Sequence, residues 1–330
     1  LISSIVRLQV LFQANRKSFK KNCIMSKVMI MLSTYNGEKY LREQLDSLYA
    51  QEGVDIHILV RDDGSIDTTL QILGEYERKF GKMTIFSGLN VGAAMSFYSL
   101  LLRAVQEEYE YDYYAYSDQD DVWMPDKLCS AVSKLEKSVA KYKLYFCDAQ
   151  VVNSELRPIQ VYKSKICNNL KGNIVSNHIL GCTQVFNGNL LKLLSVYKPS
   201  LGSEPLMHDA WTAIVAYSFN ADVFFDIRPH IKYRQHGNNV IGAGKNFFVN
   251  MKNRIARYSD DKCLKSKKCE LVLEAFADLM DEENKSVIEE CASYKHNLKT
   301  KVKFLTDKGF YQYGIATNIG LFFMILFNKF

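Results

Sequence analysis

Three aspartates stand within four positions in "SDQDDVWMPDKL" (117–128): Asp118, Asp120 and Asp121. Carboxylates this close repel one another, and they stay ionised together only where water or a cation offsets them. Hard divalent cations take oxygen ligands, and Mg²⁺ is often held by one or two carboxylates together with a substrate's phosphates. A helix N-terminus also favours acids. That plainer reading is open for Asp121 ahead of "MPDKL", but not for Asp118, which is still on the strand side. A second acidic pair, Asp62-Asp63, lies in "RDDGSIDTT" (61–69), where Asp62 could instead cap the segment that follows. A third motif, "MHDAW" (207–211), sets Asp209 between His208 and Trp211.

The elements that must position these acids are legible in the periodicity. "KVMIMLS" (27–33) is a continuous apolar run and reads as a buried parallel strand. Helical spacing over 38–51, 65–80 and 92–108 alternates with strand-like runs at 55–63, 82–88 and 112–118. That alternation predicts an α/β fold with a mostly parallel, doubly wound sheet. Such sheets bind ligands beyond the carboxyl ends of their strands. Four polar clusters fall there: Ser33-Thr34-Tyr35-Asn36-Gly37, Asp62-Asp63-Gly64-Ser65, Asn90-Val91-Gly92 and Asp118-Gln119-Asp120-Asp121. Neither GxGxxG nor GxxxxGK[ST] occurs, which argues against a dinucleotide dehydrogenase and a P-loop phosphotransferase. Acids at this rim would instead meet a nucleotide through its base N–H groups, its ribose hydroxyls and a bridging metal.

Beyond residue 141 the pattern changes. "KYKLYFCDAQVVN" (141–153) reads as one further strand, and "GCTQVFNGNLLKLL" (181–194) as a strand or loop leading into a helix. Residues 207–219 read as a helix, and 222–242 as a strand followed by a Gly/Asn-rich loop that holds His236. Residues 245–330 carry Lys, Glu, Leu and Phe at helical spacing, with no proline beyond Pro229.

The chain has 330 residues, 48% hydrophobic and 24% charged, which is enough for a sizeable core. A net charge of +6 could favour a phosphate-bearing or membrane-surface partner but is too weak to argue for nucleic acid. Eight cysteines without a CxxC pair speak against zinc and disulfide frameworks and for a reducing, cytoplasmic setting. Residues 1–26 are expected to be an extension outside the fold, since "MSKVMIMLS" from Met25 reads as a beginning; the alternative is a short membrane-surface helix.

Together "STYNGEKYLREQLDSL", "RDDGSIDTT", "LNVGAAMSF", "SDQDDVWMPDKL", "GCTQVFN", "MHDAW" and "YRQHGNNVIG" resemble family 2 glycosyltransferases of the GT-A fold. They look most like the bacterial rhamnosyltransferase branch, which builds cell-surface polysaccharides such as O-antigen and capsule. The resemblance implies a Rossmann-like catalytic domain over 27–244, with a nucleotide-sugar half (27–121) and an acceptor half (122–244), and a C-terminal helical region over 245–330. It implies a donor site formed by Ser33, Thr34, Tyr35, Asn36, Asp62, Asp63, Asn90, Gly92, Asp118, Gln119 and Asp120. Asp118-Gln119-Asp120 matches the DXD motif. Asp120 would be the direct ligand of a divalent cation, Mg²⁺ or Mn²⁺, with Asp118 and His236 beside it. Asp209 corresponds to the catalytic base of inverting members, although it could also cap its own helix. Gly181, Cys182, His208, Trp211 and Trp123 fall in the acceptor or sugar region. Trp123 could equally anchor the sheet, and His236 could be a loop histidine bonded to backbone. One departure is Ser96, where the branch commonly has asparagine before the phenylalanine.

The implied reaction is inverting transfer from dTDP-β-L-rhamnose to a saccharide acceptor, giving an α-rhamnoside. A UDP-hexose donor is the alternative, and a non-catalytic sugar-nucleotide-binding protein a remote one. The interrupted apolar tail "FYQYGIATNIGLFFMILFNKF" behind the basic "KHNLKTKVKFL" fits a helix lying on the anionic inner face of the cytoplasmic membrane, near a lipid-linked acceptor. Ordinary packing of that helix against the domain is the plainer reading.

Overall fold

The computed structural model describes residues 25–107, 110–167, 169–177, 179–199, 205–235 and 265–330. Its first half alternates as the periodicity requires: β1 (Lys27–Thr34), α1 (Leu41–Tyr49), β2 (Asp55–Asp62), α2 (Thr69–Phe80), β3 (Met83–Ser87), α3 (Gly92–Gln106) and β4 (Tyr113–Ser117). The boundaries fall within a few residues of those expected. After β4 come a short β5 (Val122–Trp123), α4 (Lys127–Leu135), β6 (Lys143–Cys147), β7 (Ala149–Val152), β8 (Pro158–Tyr162) and α5 (Leu170–Val175). A 3₁₀ turn at Gly181–Thr183 leads into β9 (Val185–Asn187) and α6 (Gly188–Leu194). Next are α7 (His208–Ser218), β10 (Asp222–Asp226) and β11 (Ile231–Arg234). Four helices close the chain: α8 (Lys265–Phe276), α9 (Glu282–Ser293), α10 (Leu298–Thr306) and α11 (Ile315–Leu326).

Seven strands form the central sheet in the order β10-β6-β9-β4-β1-β2-β3, and β9 runs antiparallel to both its neighbours while the other pairs are parallel. The sheet therefore crosses the expected boundary at 121/122, with three of its strands supplied by the acceptor half. A second sheet, β5-β11-β7-β8, stands beside it. Alternation along β1 explains its unbroken apolar run. Val28, Ile30 and Leu32 pack with Leu41, Leu45 and Leu48 of α1 and Leu128 of α4, whereas Met29 and Met31 join Phe97, Leu100 and Leu101 of α3 and Trp211 of α7. Both faces of the strand are buried, as a parallel strand between helix layers must be. Truncating a side chain such as Leu45 to alanine in so closed a layer costs about 2–5 kcal/mol.

Two runs read as single strands are in fact pairs. "KYKLYFCDAQVVN" breaks at Asp148, where β6 stays in the central sheet and β7 passes to the second sheet. Asp148 makes the crossing: its amide donates to the Asp226 carbonyl (3.0 Å) and its carboxylate accepts the Ser164 amide (2.8 Å). The strand expected within 222–242 divides likewise into β10 and β11 around Arg228-Pro229, because proline has no amide to continue a ladder. The extension expected over 1–26 lies outside the described residues apart from Met25 and Ser26.

Candidate active site

The carboxyl ends of β1 and β2 are woven together by side chains. Thr34 Oγ1 donates to Asp62 Oδ2 (2.9 Å), and Asp62 Oδ1 accepts the amides of Gly64 (3.2 Å) and Ser65 (2.8 Å). Ser65 Oγ adds a donor to Asp62 Oδ2 (2.6 Å). Asp62 thus closes its own turn, while Asp67 accepts the Thr69 amide (3.0 Å) where the next helix begins. Asn36, in the left-handed region (φ 47°), accepts the Ile66 amide (2.9 Å) and donates its own amide to Ser65 Oγ (2.9 Å). Asp63 is buried against Arg61 and accepts the amides of Val91 and Gly92, both at 2.9 Å, so the third cluster hangs from the second. Asn90 Oδ1 also accepts from Gly92 (3.2 Å). Ser33 Oγ lies 2.6 Å from Ser96 Oγ at the start of α3.

The fourth cluster is held by an amide clasp. Gln119 accepts the Tyr35 amide and donates to the Tyr35 carbonyl, each at 2.9 Å. A β-carbon on Gly37 would stand 2.2 Å from Gln119 Oε1, so a larger residue there would displace the clasp. The Tyr35 ring itself is exposed.

Asp121 is fully buried and does not cap a helix, since α4 begins only at Lys127. Its Oδ1 accepts the Arg234 amide (3.0 Å), and its buried Oδ2 meets no donor stronger than the Cys182 thiol among the described residues. Asp118, Asp121 and Cys182 bring two carboxylate oxygens and a thiol within 4.8 Å of one another. Burial, then Asp120 and Asp209 nearby, push the Asp118 carboxyl up to about 7. Burial and the same crowding push Asp121 well above the ordinary carboxylate range. The Cys182 thiol is pushed up by burial and by Asp121 and Asp118, which keeps it protonated.

Asp209 lies in the first turn of α7 and is electrostatically in view of Asp118. One of its oxygens accepts the Ala210 amide (2.6 Å), and burial raises its carboxyl. Lys268 of α8 opposes that rise, so the C-terminal helices reach the charge environment of this acid. Gln184 fixes the turn by donating to the Asp209 carbonyl (3.1 Å). His208 is buried between Phe97 (ring centroids 3.7 Å apart) and Tyr116 (4.6 Å), with neither ring nitrogen hydrogen-bonded among the described residues. Burial depresses it to about 3, so the imidazole is neutral. Its Nε2 lies 2.1 Å from where a β-carbon on Gly181 would be.

Both tryptophans fall short of a sugar-facing place. Trp123 is 2% exposed with the Lys127 ammonium 3.0 Å from its ring centroid, and Trp211 is fully buried against Tyr197 and Phe276. They anchor the core instead. His236 lies outside the described residues.

The profile of "Glycosyl transferase family 2" matches residues 29–195, about half of the chain. The chain belongs to glycosyltransferase family 2. A relative described as "dTDP-rhamnosyl transferase RfbG" of Shigella flexneri is 30% identical over 230 residues, 66% of this chain and 75% of its own length. An uncharacterised glycosyltransferase of Rickettsia typhi is 26% identical over 223 residues, 66% of each chain. Among solved structures, S. aureus TarS in complex with UDP-GlcNAc superposes with a TM-score of 0.57 at 19% identity, covering 91% of this chain and 81% of that one. That likeness shows the fold, which is GT-A.

Sequence reasoning about this glycosyltransferase missed Arg234. It stands in the quoted "YRQHGNNVIG", yet its partners are scattered across the chain. Its guanidinium donates to the Asp120 carbonyl (2.7 Å), to the Ser154 carbonyl (2.5 Å) and to Glu43 of α1, and it lies over the Tyr40 ring (4.4 Å to the centroid). The available signal was an arginine two residues before the Gly/Asn-rich loop. Nothing local pointed to its partners.

Proposed function

We propose that this enzyme is an inverting transferase that moves L-rhamnose from dTDP-β-L-rhamnose to a saccharide acceptor. The acceptor is lipid-linked and met at the inner face of the cytoplasmic membrane, in the synthesis of cell-surface polysaccharide. The juxtaposition of Asp118 and Asp209 carries the reading: an acidic loop at the strand ends and, facing it from a separate helix, a carboxylate whose affinity for protons is raised by burial. Identity to a relative described as a dTDP-rhamnosyl transferase supports the choice of sugar.

The acidic loop fits a divalent cation, Mg²⁺ or Mn²⁺. Its carboxylates crowd one another, and the buried Asp121 Oδ2 has no donor stronger than the Cys182 thiol among the described residues. Asp120 and Asp118, with His236, would hold the ion; bound there, it offsets negative charge on a departing diphosphate. Cys182 offers a soft sulfur, which Mg²⁺ or Mn²⁺ would pass over for carboxylate oxygens. Asp209 takes the proton of the acceptor hydroxyl as that oxygen attacks the anomeric carbon from the face opposite the leaving nucleotide. One displacement inverts the configuration, so no enzyme nucleophile is required. A carboxylate made more basic by burial is better matched to this work near neutral pH. His208, being neutral, offers one donor and one acceptor, either to orient its neighbours or to meet a sugar hydroxyl.

A second reading, a UDP-hexose donor, is favoured by Ser96, a shorter polar group than the asparagine common in the rhamnosyl branch and already engaged by Ser33. Incubating the purified protein with a panel of nucleotide sugars and a saccharide acceptor separates the two. Transfer from dTDP-L-rhamnose is expected. Transfer from UDP-hexoses alone replaces the donor, and nucleotide binding without any transfer replaces the enzyme with a binding protein.

A further inference from the structure

From Leu321 to its end, helix α11 carries only apolar side chains. Leu321 and Ile325 turn inward and are buried, whereas Ile315 (80% exposed), Ile319 (52%), Phe323 (49%) and Phe327 (67%) follow one another along the outward side, with Phe322 and Leu326 beside them. A helix at the surface of a water-soluble domain normally turns charged or polar residues outward, and a contiguous apolar patch marks a contact site. The neighbouring α10 extends the patch, with Leu298 (78% exposed) and Val302 (52%) one turn apart. Lys301 ties the two helices by donating to the Leu326 carbonyl (2.7 Å) and Asn328 Oδ1 (2.9 Å).

The charge around this patch identifies its partner. From Tyr294 to Phe330 the chain carries six lysines and a single acid, Asp307, which is already paired with Lys171 (2.5 Å). Lys299 and Lys301 flank the Leu298–Val302 stripe on its two sides, and Lys329 follows the end of α11. A second copy of the same face would set lysines against lysines. Anionic lipid headgroups above an acyl layer match both features at once. A 12-residue helix spans about 18 Å, too short to cross a bilayer, and none of the described helices is long and apolar enough to do so. A helix of this length and pattern suits the plane of the interface rather than a crossing.

We propose that the α10–α11 face docks this enzyme on an anionic membrane surface. The inference rests on the lipid-linked acceptor reading and gives it a place on the molecule. The docking face is joined to the catalytic part: Tyr313 Oη donates to the Gly172 carbonyl (2.8 Å), and α8 bridges the two, its Ser266 hydroxyl donating to the Phe330 carbonyl (3.1 Å) and its Phe276 stacking on Trp211 (5.7 Å), two residues from Asp209. A membrane held at this face thus has a fixed relation to the rim that receives the acceptor.

Flotation of the full chain with two kinds of vesicle tests the proposal, one phosphatidylcholine alone and one with a third phosphatidylglycerol. The chain should float with the anionic vesicles and much less with the neutral ones. Phe323→Ser combined with Phe327→Ser should lower anionic-vesicle binding at least tenfold, with Tm unchanged because both rings are exposed. Lys299→Gln should lower it about fivefold, the usual weight of one lysine near a charged bilayer. Equal flotation with both vesicle types, no flotation with either, or binding that survives the double substitution overturns the proposal. So does a dimer that the double substitution converts to monomer while vesicle binding stays. Calorimetric binding of the nucleotide sugar by the same preparation keeps the two readings apart. Donor binding without flotation removes the docking face alone; flotation without donor binding removes the donor reading and leaves the face.

Discussion

Two acidic pairs stand on one rim, at the ends of the strands either side of β1, and they differ in what surrounds them. Asp62 and Asp63, at the end of β2, are met by seven donors: the hydroxyls of Thr34 and Ser65, the amides of Gly64 and Ser65, the Arg61 guanidinium, and the Val91 and Gly92 amides at the start of α3. Asp118 and Asp120, after β4, have Asp121 and Asp209 for neighbours, and crowding and burial together drive Asp118 upward. The same side chain does two kinds of work. Donors turn the first pair into a fastening that shapes the rim, whereas the second pair lies among further carboxylates, which with burial raise Asp118. A donor-site role for Asp63 must accommodate a carboxylate already engaged by three donors.

Substitutions can sharpen or break this contrast. Asp120→Ala has the largest expected effect, complete loss of turnover in the transfer assay together with loss of metal-dependent nucleotide binding. Full activity in chelator would end the metal reading. Asp209→Asn keeps shape but cannot take a proton, so kcat should fall by roughly 10²-fold or more while calorimetry still finds the donor bound. Near wild-type transfer by that variant would move the base to another residue. Since burial raises the Asp209 carboxyl and the base must be deprotonated, kcat should fall on the acid side at a pH above the ordinary aspartate value of about 3.9. Asp209→Asn should abolish that limb. Arg234→Lys keeps the charge but loses the planar fork that joins the Asp120 carbonyl to α1. The metal concentration for half-maximal activity should rise about tenfold, as for other residues that support a ligand loop. A fall in Tm alone, with metal dependence unmoved, would make Arg234 a purely structural residue. The smallest effect on catalysis belongs to Asp62→Asn, which forfeits charge-assisted acceptance in its turn and should cost about 2 kcal/mol, read as a lowered Tm. Should it abolish turnover at full stability, as Asp120→Ala does, the division between the pairs fails.

What was legible from the residues alone follows from the range of the forces involved. The strands and helices from Lys27 to Ser117 are each announced by local periodicity, and the rim follows because a doubly wound sheet gathers its strand ends. The order of the remaining strands was not announced. β9 enters antiparallel between β4 and β6, and "KYKLYFCDAQVVN" divides between two sheets because of what Asp148 meets in Ser164 and Asp226, far along the chain. Arg234 escaped for the same reason. The polar interruptions in the tail were visible, but their purpose was not: Asn318 donates to the carbonyls of Tyr311 and Tyr313 and accepts the Tyr313 amide, which pins the start of α11. Trp123 and Trp211 show the opposite limit, since an aromatic beside an acidic motif carries no local mark of whether it faces a ligand or the core.

The contact between Gly181 and His208 has a bearing on how this sequence can drift. The imidazole occupies the volume that any side chain at 181 would need, so the two positions cannot change independently. In a library randomised at both, alanine or serine at 181 should be recovered only beside a residue smaller than histidine at 208. The two positions are separated by 26 residues of chain but would be inherited as a unit.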